Sequence, residues 1–165
     1  MTTRRIECRG AKHFPVADVA DSTVRDSVWT AMGSWRRFII AIDGVDGAGK
    51  STLGRYLSWQ LGMPLIETDQ FLTPNAGKLD YDFAVLRRII EARTRLDRPI
   101  VVEGVRILAL LRDVNVGKDF HIWVQRVGED GSFALRSEID DYIREFAPRA
   151  HANLIYDAKR DDDWS

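Results

Sequence analysis

The amino-acid sequence predicts an α/β fold, with a central five-stranded parallel sheet flanked by helices. Short apolar runs alternate with helical patterns along the chain, and this alternation is typical of a parallel sheet with helices on both faces. The runs FIIAI and IVV carry no alternating polar residues, as expected of central strands that are covered on both sides. The predicted strands cover residues 38–42, 64–67, 99–103, 118–125 and 153–157.

Helical periodicity separates these strands. Helices are predicted from Lys50, over about residues 81–96 and over about residues 132–146. Ahead of the first strand, within residues 18–35, apolar side chains recur every three or four positions beside charged ones, which predicts an amphipathic helix. These apolar side chains are Val24, Val28, Met32 and Trp35.

The chain therefore divides into an N-terminal extension that carries this amphipathic helix, residues 1–35, and a main domain, residues 36–165. With 165 residues and 45% hydrophobic content, it is large enough for one compact core. We expect its five tryptophans to be packing residues.

The charge balance limits the class of partner. A formal net charge of -1, from 24 basic and 25 acidic residues, gives no overall field that would recruit nucleic acid or an anionic membrane. We therefore expect no nucleic-acid partner and no membrane partner. The sequence leaves homodimerisation open.

Several sequence features predict a soluble cytoplasmic protein. The single cysteine, Cys8, excludes an internal disulfide framework and fits a reducing compartment. The basic stretch MTTRRIECRGAKHF is not followed by an apolar signal core, and the apolar runs are too short to span a bilayer. The three histidines lack the spacing of metal ligands, so no histidine metal site is expected.

The strongest motif lies directly behind the first predicted strand. The segment GVDGAGKS, residues 44–51, fits the phosphate-binding loop pattern called Walker A, with a strand before it and a helix after it. Small residues let the backbone curl so that its N–H groups and the helix N-terminus face phosphate oxygens. The predicted nucleotide-binding residues are Gly44, Val45, Asp46, Gly47, Ala48, Gly49, Lys50, Ser51 and Thr52.

This loop predicts a P-loop NTPase fold that binds ATP and Mg²⁺. Lys50 places a compact positive charge on the terminal phosphates, and Ser51 offers its hydroxyl to Mg²⁺. The alternatives are a glycine-rich turn with Lys50 as a solvated surface charge, and a Thr52 hydroxyl that only caps the helix.

Acidic residues at the carboxyl ends of the strands are the candidates for catalysis, because ligands of open α/β sheets bind there. Asp69 follows the second strand and could accept the proton of a hydroxyl that attacks the terminal phosphate, or could help to bind Mg²⁺. Glu103 ends the third strand and could hold Mg²⁺ or its waters. The alternatives are a helix-cap or turn role for Asp69 and an ion pair with Lys50 for Glu103.

From about residue 36 to residue 157, the sequence resembles the uridine kinase and phosphoribulokinase group of P-loop kinases. The resemblance rests on IDGVDGAGKST, ETDQF and VVEGV, in that order. It implies that Asp69 is the catalytic base toward a sugar hydroxyl and that Glu103 assists the metal. DGVDG also looks like thymidylate kinases, but the Asp-Arg signature expected mid-chain there is absent.

The sequence departs from that group in two places. The segment RVGEDGSFALR, residues 126–136, stands where group members usually have a longer lid with several arginines, and Asn153 stands where an aspartate is usual. Within this shortened lid, Arg126 and Arg136 could stabilise the transferring phosphoryl group, or could form surface salt bridges.

Acceptor recognition is weakly encoded. Phe71, Tyr81 and Phe83 could stack on a base or fill the core, and Arg106 could meet a substrate phosphate or cap a helix. The leading expectation is ATP-dependent phosphorylation of a hydroxyl on a small metabolite, above all a nucleoside. The alternatives are another small-molecule or nucleotide kinase of the P-loop type, and a non-enzymatic nucleotide-binding regulator.

Overall fold

The computed structural model describes residues 19–74, 79–128 and 131–159. The part of the predicted N-terminal extension before residue 19 and residues 129–130 of the predicted lid lie outside this description. None of the helices in the described ranges is long and apolar enough to cross a membrane.

The predicted five-stranded parallel sheet is confirmed. Its strands are β1 (Ile39–Asp43), β2 (Leu65–Glu67), β3 (Ile100–Glu103), β4 (Phe120–Gln125) and β5 (Leu154–Asp157). They lie in the order β2-β3-β1-β4-β5, and every neighbouring pair is parallel. β1 lies at the centre and all its residues are buried, as the unbroken apolar run predicts.

The helices are α1 (Val19–Met32), α2 (Lys50–Leu61), α3 (Phe83–Thr94), α4 (Ile107–Asp113) and α5 (Arg136–Phe146). Short 3-10 turns cover Thr68–Phe71 and Phe133–Leu135. The sequence analysis placed the start of α3 near residue 81. The helix begins later because the Asp82 side chain accepts a hydrogen bond from the Val85 N–H and so caps it.

The sheet separates two apolar layers. On one face, Ile40 and Ile42 of β1 pack in a cluster with residues of α1 and α2. On the other face, Ile39 and Ala41 pack in a cluster with residues of α3 and α4. Successive side chains of β1 point to opposite faces, so this one strand contributes residues to both layers. Packing on both faces holds the end of β1, where the phosphate loop begins, in place.

The apolar face of α1 is formed by Val24, Val28 and Met32, which are buried in the cluster shared with α2. Trp35 does not extend this face, because α1 ends at Met32 and Gly33 then takes a positive φ of 70°. The expectation that the five tryptophans are packing residues holds for Trp123 and is wrong for three others, while Trp164 lies outside the described residues. Trp29, Trp35 and Trp59 are 50%, 51% and 76% exposed.

Candidate functional site

The phosphate loop connects β1 to α2, and two of its glycines are required by geometry. Gly44 has φ 151°, and an added Cβ would lie 2.2 Å from the carbonyl oxygen of Val124. Gly49 has φ 99° and occupies the N-cap position of α2 in the left-handed region. Only glycine adopts these conformations without strain, so the backbone can turn sharply and direct its N–H groups inward.

Lys50, the first residue of α2, is buried, with 7% exposure, and its Nζ donates a hydrogen bond to the Val45 carbonyl at 2.8 Å. It is therefore not the solvated surface charge of the alternative interpretation. Burial lowers the pKa of Lys50, while nearby carboxylates, Glu103 foremost, oppose that shift. Within the described ranges Lys50 forms no ion pair, so its charge can serve an incoming anion.

Glu103 lies at the end of β3, where its carboxylate is 3% exposed and accepts a hydrogen bond from Ser51 Oγ at 2.9 Å. Burial raises the pKa of Glu103, and the Ser51 hydroxyl and the Lys50 charge oppose the shift. The ion-pair alternative is not realised, because the direct partner of Glu103 is Ser51. A hydroxyl beside a carboxylate is the kind of oxygen pair that Mg²⁺ prefers.

The chemistry of these donors fits Mg²⁺ that is shared with phosphate. Over the described part of the chain, no group of three or more His, Cys, Asp and Glu side chains could hold a metal ion. Magnesium in phosphoryl-transfer sites is usually held by one or two protein oxygens together with substrate phosphates and water. The pair formed by Ser51 and Glu103 supplies that number of protein ligands.

Asp69 lies on the 3-10 turn that follows β2, and its side chain is exposed. In the sheet register, Glu67 of β2 lies beside Glu103 of β3, so the turn starts at the same edge as the phosphate loop. The negative charge of Asp69 acts on both buried groups: it opposes the lowering of the Lys50 pKa and adds to the raising of the Glu103 pKa. The fold therefore brings Asp69, Lys50, Ser51 and Glu103 together.

Thr68 and Gly104 hold this turn, and the sequence analysis assigned neither a role. Thr68 is fully buried, and a Cβ added to Gly104 would lie 1.9 Å from Thr68 Oγ1. Gly104 therefore allows the turn of Asp69 to approach the end of β3. The signal was present in the sequence, since a glycine directly follows the strand-end glutamate.

Phe71, Tyr81 and Phe83 lie on the side of the sheet that is covered by α3 and α4. Tyr81 is 6% exposed, burial raises its pKa to about 12, and its ring contacts Phe83 edge-on at 6.1 Å. The core-filling alternative therefore holds for Tyr81. Phe71 and Phe83 are only partly buried at the border of the same cluster, and their stacking on a substrate base stays a prediction.

Arg106 occupies the N-cap position of α4 but makes no side-chain capping bond. Its Nη1 instead donates to Glu138 Oε2 on α5 at 2.6 Å. Glu138, which the sequence analysis did not consider, also accepts from the Leu79 N–H at 3.3 Å. Arg106 and Glu138 are separated by 32 positions, so no local pattern could have paired them.

The two lid arginines lie in different places. Arg126 follows β4, and its side chain lies against the phosphate loop. A Cβ added to Gly49 would be only 3.3 Å from Arg126 Nη2. Its Nε is buried without a hydrogen-bond partner among the described atoms. Arg136 is the exposed first residue of α5. Within the described ranges neither arginine forms a salt bridge.

A buried polar network anchors the start of the loop, and the sequence analysis missed it. Asp43, the last residue of β1, is fully buried; it accepts from the Gly44 N–H at 2.9 Å and from the Tyr142 hydroxyl of α5. The Tyr142 oxygen in turn accepts from the Leu108 N–H of α4 at 3.3 Å. His121 of β4, fully buried as its strand position predicts, lies 3.4 Å from Asp43.

Comparisons with known proteins give related results. Residues 46–82 match the family model described as shikimate kinase. The chain is 25% identical over 116 residues to a cytidylate kinase from Pyrobaculum aerophilum, an alignment that covers 70% of this chain and 62% of that protein. It is 31% identical over 128 residues to a bifunctional pantoate ligase/cytidylate kinase from Gloeobacter violaceus, covering 73% of this chain and 22% of that protein.

A solved structure described as a possible uridine kinase from Bacillus stearothermophilus superimposes with a TM-score of 0.53 at 17% identity. The superposition covers 82% of this chain and 100% of that one. By contrast, the chain spans about three fifths, 62%, of the cytidylate kinase that it matches. With its parallel sheet and its glycine-rich loop between β1 and α2, the chain has the α/β fold of P-loop kinases.

Proposed function

We propose that this protein is an ATP-dependent kinase that phosphorylates a hydroxyl group of a small metabolite. One observation carries the proposal: a buried Lys50, which forms no ion pair among the described residues, and the bonded pair Ser51 and Glu103 lie at the sheet edge that also presents Asp69. A structural role alone would not require a buried cation beside a buried carboxylate without a direct ion pair between them.

In the proposed reaction the loop N–H groups and Lys50 hold the triphosphate of ATP. The oxygen of the acceptor hydroxyl bonds to the γ-phosphorus, and the bond between that phosphorus and the ADP oxygen breaks. Asp69 accepts the proton that the hydroxyl loses. Ser51 and Glu103 would hold Mg²⁺, which when bound neutralises charge on the phosphate oxygens. Arg126, which lies against the loop, would add positive charge on the donor side.

Within this class we propose a nucleoside as the acceptor, as in uridine kinases. The support is the resemblance through ETDQF and VVEGV and the structural neighbour described as a possible uridine kinase. The match to shikimate kinase and the cytidylate kinase relatives support the broader alternative, another small-molecule or nucleotide kinase. A non-enzymatic regulator is the remaining alternative, suggested by the short lid.

The test combines ATP binding with turnover. Calorimetry measures the affinity for ATP with Mg²⁺, and ADP release is followed with nucleosides, nucleoside monophosphates, sugars and sugar acids as acceptors. The proposal expects ATP binding and acceptor-dependent ADP release. Absence of ATP binding at millimolar concentration would overturn it, and ATP binding without turnover on any acceptor would favour the regulator.

The role of Asp69 is tested by Asp69→Asn. We expect this variant to retain ATP binding and to lose about 10²-fold or more in turnover, because the proposed base is removed while the phosphate loop is untouched. Asp97→Asn is the matched control, since Asp97 is exposed in the turn before β3, at the opposite edge of the sheet. Unchanged turnover in Asp69→Asn would exclude Asp69 as the base.

A further inference from the structure

The ion pair between Arg106 and Glu138 lies just beyond the end of β3, the strand that carries Glu103. Arg106 comes three residues after Glu103, and Glu138 lies in the first turn of α5. The two side chains are 31% and 25% exposed, and Nη1 lies 2.6 Å from Oε2. Glu138 is held further by the backbone N–H of Leu79 at 3.3 Å. The pair is therefore a positioned, partly buried contact.

Tyr81 connects this pair to the turn that carries Asp69. The Tyr81 hydroxyl lies 3.5 Å from the carbonyl oxygen of Val105, the residue before Arg106. Tyr81 also forms an isolated β-bridge with Leu72, directly after the turn of Asp69. Burial raises the pKa of Tyr81, with Asp69 and Glu138 adding to the shift and Arg106 opposing it, as expected of charges grouped around one phenol.

Two arginines near this edge of the sheet already have carboxylate partners. Arg55 pairs with Glu67 at 2.7 Å, and Arg106 pairs with Glu138 at 2.6 Å. Because both ion pairs are close to neutral, an anionic acceptor would meet the negative charge of Asp69 and an Arg106 whose positive charge Glu138 already balances. Displacing Glu138 to release this positive charge would leave a partly buried carboxylate without its cation, which is costly.

We infer that the pair formed by Arg106 and Glu138 selects an electrically neutral acceptor, such as a nucleoside or an uncharged polyol, over a phosphorylated or carboxylated one. The inference rests on the proposed kinase function and names the substrate class of its acceptor site. Glu138 acts as the specificity residue, because it neutralises the arginine that would otherwise bind a phosphate or carboxylate.

The test compares neutral with anionic acceptors in wild type and in Glu138→Gln. ADP release is measured with uridine and cytidine, and with cytidine monophosphate and shikimate. Wild type is expected to prefer the neutral acceptors. In Glu138→Gln, the ratio of kcat/KM for anionic over neutral acceptors is expected to rise about tenfold or more, because Arg106 becomes free.

Glu145→Gln is the matched control, since Glu145 lies on the same helix and pairs with Arg112 at 2.6 Å, but both side chains are more than half exposed. The acceptor ratio should not change in this variant. Should Glu138→Gln fail to fold, Arg106→Gln serves instead, and it is expected to keep or strengthen the neutral preference. A shift of Arg106→Gln toward anionic acceptors would overturn the inference.

A binding measurement separates this inference from the proposed function. Calorimetry with cytidine monophosphate should show at least about tenfold tighter binding to Glu138→Gln than to wild type, whether or not turnover occurs. Equal affinity overturns the inference, and so does a wild-type preference for anionic acceptors in turnover. Absence of ATP binding in wild type overturns the proposed function, while the calorimetric result still decides the role of the pair.

Discussion

Lys50 and Glu103 are buried charged groups whose environment disfavours the charged form of each. Burial lowers the pKa of Lys50 and raises the pKa of Glu103. The negative charge of a bound triphosphate would stabilise the charged form of Lys50, and the positive charge of Mg²⁺ would stabilise the charged form of Glu103. The same two groups therefore weaken the free protein and would favour the proposed complex with nucleotide, a common trade-off at functional sites.

Glu103→Gln should stabilise the free protein at neutral pH and lower its turnover. Because its pKa is raised in the folded state, the Glu103 contribution to stability is fully present below the unfolded value near 4.5 and is lost as pH rises through the raised pKa. We expect Tm at pH 7 to rise by about 2–4 °C, the shift that about 1 kcal/mol gives at this size. Calorimetric scans check this, together with ADP release.

The pH series separates this explanation from general stabilisation. The gain in Tm of Glu103→Gln should shrink as pH is lowered toward 4.5, because the wild-type carboxyl then becomes protonated as well. Glu91→Gln, on the exposed face of α3, is the control and should give no comparable gain. A gain that is constant across the pH range would contradict the role of the Glu103 charge.

At the scale of elements, strands and the loop could be predicted, whereas contacts between distant segments could not. β1 and β3 could be predicted because a short, unbroken apolar run between turn residues is typical of a buried strand. The phosphate loop could be predicted because its glycines mark the positions where the backbone turns. α4 was left unassigned because a helix of seven residues completes too few turns for its period to be read. The Asp69 turn depends on Gly104, which contacts it only in the folded chain.

The bond between Tyr142 and Asp43 joins residues 99 positions apart, so no sequence pattern announces it. This bond fixes α5 to the end of β1, and the contact of Tyr142 with the Leu108 N–H fixes α4 to the same point. Since α5 also carries Glu138, this hydroxyl sets the position of the proposed acceptor side relative to the phosphate loop.

Tyr142→Phe should lower stability by about 1–3 kcal/mol, because the fully buried Asp43 carboxylate loses its hydroxyl donor and the Leu108 N–H loses its acceptor. Urea denaturation measures the loss. Tyr56→Phe, a partly buried tyrosine on α2, is the control. If Tyr142→Phe unfolds at the same urea concentration as wild type, the hydroxyl does not tie these elements together.

At the scale of the whole molecule, the two apolar layers support different parts of the candidate site. The layer under α3 and α4 supports the proposed acceptor side, and the layer under α1 and α2 supports the helix that begins at Lys50. α1 lies upstream of the predicted boundary at residue 35, yet its buried face belongs to the same cluster as Ile40 and Leu57. α1 therefore contributes to the core on which the phosphate loop rests.

Val28→Ala tests this contribution. Val28 has 0% exposure, so the lost methyl groups leave a cavity, and we expect a loss of about 1–3 kcal/mol in the free energy of unfolding, measured with urea. Thr30→Ala, exposed on the same helix, should change it by less than about 0.5 kcal/mol. If α1 and the sheet form one cooperative unit, circular dichroism and ATP binding should be lost at the same urea concentration in each variant. An unchanged main transition in Val28→Ala would show that the phosphate loop is stable without the packing of α1.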